Sequence, residues 1–535
     1  MNKVAYYNGN VYTSDVTAPT AQAFVVENGR FAFVGNDADL PPCDRRIDLK
    51  GKCVIPGLVD SHCHILSGME GAFSDMIFIS PDTKPEELAG VLSSLVSENP
   101  VPMNRAVIAM GFDLTKGDFS AKDIDSAFPD QPVLICSNDG HAALVNTKAM
   151  EILGIDRDIE DFGTDSYYVR DDKGDPTGLV IEIPAMRRCK QLLKYGADID
   201  HAGQMKALCG SYAALGYTTV FDAMSVDEDN DEMISALSTL DKEGGLTLRT
   251  VLSFGFHDEE DLSVNDLISI MEKYRDNFAS DNVIPNTLKL ILDGTVEEYS
   301  ALLFDPYLDG KRGFGSQLLS EKDIARAAGC AADKGFSIHI HAIGDKAVHI
   351  ALKALDGLGE ISGTKTIAHN QLYRDDDIER IAKAGDIFFQ TTPHWMVNDD
   401  YTLARLGKDR YVKQFPVGTM VKNRVAVSFG SDSCLDPGSA DAFTGMFYAC
   451  ARGDEKLCGP QCLPPKSESI SRMDALMAYT INGAKQLCIG DETGSITAGK
   501  SADFAVLDRD IINCPTEELK EVKVTETYFR GHKII

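Results

Sequence analysis

Eight short apolar runs recur along the chain with helical patterns between them: VIPGLVDSHCH, TTVFDA, LTLRTVLSF, TLKLILDG, FSIHIHAIGD, KTIAHNQ, DIFFQTTPHW and RVAVSFGSD. Strands that alternate with helices build parallel sheets, and eight such units are the number that closes a (β/α)8 barrel. The helix before TTVFDA shows the pattern, since Met205, Leu208, Tyr212 and Leu215 keep an apolar face and Gly216 supplies the stop. Functional groups of such a barrel lie at the C-terminal strand ends. The polar residues of these runs fall there, in HCH, LDG, HAIGD, AHN and GSD.

The flanks have a different character. The first fifty residues alternate in short runs, with an ENGR turn between AFVV and FAFVG that marks a hairpin. GSITAGKSADFAVLD and KVTETYFRGHKII near the other end read the same way. One small β domain built from residues 1–55 and 488–535 is therefore expected beside a barrel of residues 56–70 and 204–487. Residues 71–203 are too many for a simple connection and hold strand-like runs of their own, such as RAVIAMGF and GLVIEI. They are expected to form an inserted α+β subdomain over the barrel mouth.

Composition narrows the partners. Lys and Arg total 52 against 82 Asp and Glu, a formal charge of −30, which argues against binding a phosphate backbone. No apolar run of about 20 residues occurs, and MNKVAYYNGNVYTSD lacks the apolar region of a leader. A cytoplasmic protein with neither a membrane nor a nucleic-acid partner is expected, with monomer and homodimer both open. The 13 cysteines are an odd number scattered through core-like segments, which suits reduced, buried thiols. Cys458 and Cys462, in CGPQC, read as loop residues because no second Cys/His pair lies near them in sequence.

Side chains alternate across a strand, so His62 and His64 share a face while Cys63 points the other way. Two imidazoles on one rigid element can converge on one ion. His341 and His369 each end another expected strand, and Asp432 ends the last one. Lys289 lies within the fourth strand, where an inward lysine is costly unless neutralised, paired or modified. Any one strand-end histidine could be structural. Four of them with an aspartate argue for a divalent metal, because imidazole and carboxylate suit zinc, iron and related ions. His339 sits deeper on the face of His341 and is assigned to packing or to support of a ligand.

These motifs resemble the amidohydrolase superfamily, and specifically its amidohydrolase 3 (YtcJ-like) family. The resemblance runs over nearly the whole chain, through NDGHAALVN, GDPTGLVIE, LKLILDGT, AYTINGA and GSITAGKSADFAVL. It implies an α/β fold with a distorted (β/α)8 TIM barrel, a discontinuous β-sandwich domain from both termini, and one or two divalent metals, usually zinc. By the same resemblance His62, His64, His341, His369 and Asp432 match metal ligands. Lys289 falls where such enzymes place a carboxylated lysine between two ions.

The chemistry expected is hydrolysis of a C–N bond in a small amide, N-substituted formamide or cyclic amide by metal-activated hydroxide, with Asp432 moving the proton. His141, Glu297, Glu298, His394 and Trp395 are candidate substrate contacts, His141 and His394 also as oxyanion donors. One stretch departs from the family. LDGT is followed here by VEEYSA, whose glutamates would favour a cationic substrate if they face the pocket and are a solvated loop otherwise. An inactive binding or regulatory barrel and a metal-dependent deaminase or rearrangement enzyme are the contrasting readings.

Overall fold

The computed structural model describes residues 3–66, 76–137, 142–161, 166–189, 191–192, 195, 200–226, 231–256, 263–297, 299–308, 313–433 and 437–535. Eight strands form one parallel sheet: β1 (Leu58–Cys63), β2 (Tyr217–Val226), β3 (Arg249–Phe256), β4 (Val283–Ile291), β5 (Ser337–Ala342), β6 (Lys365–His369), β7 (Ile387–Thr391) and β8 (Val427–Phe429). Their spatial order is their sequence order, as expected of a (β/α)8 barrel. Both faces are covered, so the strands read as nearly continuous apolar runs.

Among the described residues no backbone ladder pairs β1 with β8, and side-chain hydrogen bonds help to bridge that seam. Ser61 Oγ donates to Phe429 O at 2.7 Å. Gln486 accepts from Ser428 Oγ and donates to Ser61 O. The Asp60 carboxylate accepts from the Ser431 amide at 2.9 Å and the Ser431 hydroxyl at 2.6 Å. Gly430 permits this closeness, since a Cβ there would lie 2.5 Å from His62 N.

Both termini join the same β structure. One sheet holds Val4–Tyr7, Ala23–Glu27, Arg30–Gly35 and Arg45–Asp48, and another mixes Asn10–Tyr12 and Cys53–Pro56 with Phe504–Leu507 and Val524–Phe529. Tyr6, Phe24, Phe31, Phe504 and Tyr528 fill the space between them, with the Phe504 and Tyr528 rings stacked at 4.2 Å. This is the discontinuous β-sandwich expected of the fold.

Contacts divide the chain into two compact units, residues 1–67 with 202–535, and residues 68–201. The second unit has its own six-stranded mixed sheet, in the order Tyr167–Arg170, Pro176–Ile181, Ala142–Val145, Val133–Ser137, Val107–Phe112, Ile77–Phe78. Alternation along Val107–Phe112 sends Ile108 into one apolar cluster and Val107 and Ala109 into another. Among the described residues no helix is long and apolar enough to cross a membrane.

Thiols are not universal. Cys458 and Cys462 form a disulfide, because the short helix Glu455–Cys458 and the turn after it bring their Cα atoms to 5.5 Å.

Candidate metal centre

The polar strand ends meet at the C-terminal face of the barrel. Asp432 follows β8 in the left-handed region, at φ 55°, and its amide donates to His62 O at 2.8 Å. His64 N donates in turn to Ser433 O at 2.8 Å, which locks the tip of β1 against the chain beyond β8. One Asp432 oxygen lies 3.1 Å from His64 Nε2 and 3.4 Å from His62 Nε2, and the other lies 3.8 Å from His369 Nδ1. Cys63 points away and donates to Phe221 O.

Two further histidines complete the ring of imidazoles. Register pairs Ile291 with His341 across β4 and β5, and Ala342 with His369 across β5 and β6. The His341 and His369 ring centres are 4.4 Å apart, and His369 is 4.6 Å from His62. Lys289, paired in register with His339, reaches to 3.3 Å from His62 Nε2. His339 Nε2 and His62 Nδ1 share a 3.0 Å hydrogen bond, so His339 lies behind His62 and supports it.

Burial sets the charge states. It drives His62, His339 and His369 well below the usual histidine pKa and takes His341 down to about 3, which leaves neutral imidazoles. It also pushes the Lys289 amine down to about 7. Burial opposes ionisation of Asp432 as well. There the surrounding imidazoles, led by His369 and His64, together with Lys289 outweigh it and hold the carboxyl well below its ordinary range. Among the described residues His369 Nδ1 is buried with no hydrogen-bond partner, which is costly for a bare imidazole.

The aromatic wall comes from the segment after β7. Trp395 stacks on His369 at 5.3 Å and 10°. His394 Nε2 donates to Asp441 O at 3.0 Å, which leaves its buried Nδ1 as an acceptor and does not suit an oxyanion donor. Glu297 is exposed. His141 and Glu298 lie outside the described residues.

Comparison with known proteins fits this geometry. Residues 45–535 match the sequence profile of the amidohydrolase family. The chain belongs to that family. Among relatives of this amidohydrolase, N-substituted formamide deformylase of Arthrobacter pascens is 27% identical over 99% of the chain and 98% of its own length. The exoenzymes regulatory protein AepA of Pectobacterium carotovorum is 28% identical over 79% of the chain and 92% of its own. The crystal structure of an uncharacterized metal-dependent hydrolase from Pyrococcus horikoshii shares the fold, with a TM-score of 0.76 at 24% identity, covering 96% of this chain and 99% of that one.

Several supporting groups escaped the sequence reading. Asp60 is buried, with a carboxyl raised to about 6 by burial against the pull of Ser431. It stands two residues before His62 on the same face, so alternation alone marks it. Asp293 follows β4 and accepts from the amides of Leu302, Ile343 and Gly344, fixing the loop beside His341. Burial raises it to about 7 against those three donors. Asn370 and Gln390 grip the backbone at His369.

Proposed function

We propose that this amidohydrolase cleaves a C–N bond of a small molecule, an amide, N-substituted formamide or cyclic amide, at a divalent metal centre formed by His62, His64, His341, His369 and Asp432. The observation that carries the reading is the buried Nδ1 of His369, without a hydrogen-bond partner among the described residues, in a cluster with His62 and His341 and 3.8 Å from the Asp432 carboxylate. Neutral imidazole and carboxylate are the ligand forms that a divalent ion requires, and nitrogen and oxygen donors together favour zinc. Lys289, with its amine pushed down to about 7, has a neutral form near pH 7 that is suited to carboxylation, which would supply oxygen ligands for a second ion.

A bound ion would lower the pKa of a coordinated water and polarise the substrate carbonyl. An ion on His62 Nε2 would require the tautomer in which His62 Nδ1–H donates to His339 Nε2, 3.0 Å away, so that the lone pair on Nε2 faces the site. Asp432, ionised and held against His62 and His64, takes the proton from the attacking water and returns it to the departing nitrogen. Trp395 walls the site beside His369 and excludes water.

The name carried by AepA raises the reading of an inactive regulatory barrel. The complete set of four imidazoles, lysine and aspartate in one cluster weighs against it. The test is hydrolysis of N-formyl, N-acyl, ureido and cyclic amide compounds with identification of products. An amine and an acid are expected, and Asp432→Asn should lose about 100-fold or more in kcat. Release of ammonia from an aminated ring would favour the deaminase reading instead. Full turnover by Asp432→Asn would remove the proton shuttle.

A further inference from the structure

The segment after β7 carries two groups toward the C-terminal face. Trp395 lies in the turn Pro393–Trp395 and stacks on His369, while Arg405 lies on the helix Asp400–Leu406 that follows. Leu406, next to it, is buried with Val296, Ile343 and Leu372, and Trp395 and Tyr299 pack on that same cluster. These apolar residues follow the ends of β4, β5 and β6, so the segment is anchored on the C-terminal side of the barrel, where Trp395 meets His369.

Arg405 differs from the arginines around it. Arg410 donates to the carbonyls of Leu406, Asp305 and Pro306, and buried Arg452 donates to those of Phe415, Gln414 and Pro464. Those side chains are structural clamps. Arg405 lies 4.6 Å over the Tyr299 ring and 5.5 Å from that of Tyr401, and its buried Nε has no hydrogen-bond partner among the described residues. Among the described residues it forms no ion pair, in a chain with 82 acidic residues against 52 basic ones. The Tyr299 ring is itself held firmly, at φ 57° and 5.2 Å from Tyr307. A half-buried guanidinium between aromatic faces is oriented and poorly hydrated, with its fork of N–H groups uncommitted.

We infer that Arg405, seated on Tyr299, binds an anionic oxygen group of the substrate at the rim of the site. The inference rests on the amide-hydrolase reading for what is bound, and it assigns the substrate a carboxylate distant from the scissile bond. A chain of net charge −30 repels anions, so admitting one calls for a dedicated cation of this kind. A carboxylate matches the guanidinium fork with two parallel hydrogen bonds. This charge preference is opposite to the one that VEEYSA suggests by its glutamates.

The test uses three probes of one shape, 4-formamidobenzoate, 4-formamidobenzamide and 4-formamidobenzylamine. Dissociation constants by calorimetry and, separately, kcat/KM are measured for the metal-loaded parent, Arg405→Gln, Arg405→Lys and Tyr299→Leu. The parent should bind the carboxylate at least about tenfold more tightly than the carboxamide. Arg405→Gln should erase that ratio through KM with kcat kept, and Arg405→Lys should restore part of it. Tyr299→Leu should reduce it. Carboxylate affinity that is absent, or no greater than that of the carboxamide, overturns the inference, as does an unchanged ratio in Arg405→Gln. Binding that depends on Arg405 without any turnover would sustain the anion site and count against amide hydrolysis, whereas turnover without charge preference would do the reverse.

Discussion

Lys289 shows how far one residue's chemistry depends on its place in the barrel. An exposed lysine amine is protonated at neutral pH and does not attack carbon dioxide. Burial beside His62 pushes this amine down to about 7, so the neutral, nucleophilic form dominates above that pH and the ammonium dominates below it. Carboxylation should therefore increase as pH rises through the depressed pKa. In metal-stripped protein equilibrated with 13C-bicarbonate, a carbamate resonance is expected at about pH 8 and should be largely lost by about pH 6. It should be missing from Lys289→Met at every pH. An unmodified lysine at the higher pH would leave a mononuclear centre as the account of this site.

At the scale of the element, the end of β6 is a built turn. His369 and Asn370 both adopt positive φ, at 70° and 50°, a conformation that costs energy for residues with a Cβ. Neighbouring side chains hold it: Gln390 Oε1 accepts from His369 N, Thr391 Oγ1 donates to His369 O, and Asn370 Nδ2 donates to Ile367 O and Gln390 O. Tyr373 donates its hydroxyl to Asn370 Oδ1 at 2.6 Å. Asn370→Ala should thus lower metal affinity about 10- to 100-fold with the circular dichroism spectrum intact. Unchanged affinity would show that the turn holds itself. The strands and their polar tips were legible because a period of two and a strand–helix rhythm are written locally, as in SHCH and SIHIH. The turn at His369 was not, since the hydrogen bonds from Gln390 and Thr391 that hold it come from another strand. The seam was hidden for the same reason, because Asp60 meets Ser431 and Ser61 meets Phe429 only after the barrel curls round. Asp60 itself could have been found from its place two residues before His62.

At the scale of the molecule, the barrel and the composite β-sandwich are tied by a buried ion pair. Arg249, at the start of β3, meets Asp503, just before Phe504–Leu507, at 3.0 Å with both side chains fully buried. Asp503 also accepts from Thr493, Ser501 and the Arg530 amide. Removing one partner strands the other charge, so Arg249→Met should cost about 3–5 kcal/mol, seen as a lower urea midpoint. A midpoint equal to the parent's would mean that the two β layers hold together by apolar packing alone. The sandwich thus holds both chain ends against the base of a barrel whose opposite face gathers the polar strand ends. The most direct test of the proposed chemistry is the hydrolysis rate of a turned-over N-formyl or N-acyl substrate by chelator-stripped protein, titrated with zinc. The account predicts negligible rate without metal, recovery that saturates at one or two equivalents, and no recovery in the His62→Ala, His64→Ala double variant. Full activity in the stripped protein, or recovery in the double variant equal to the parent's, would contradict it.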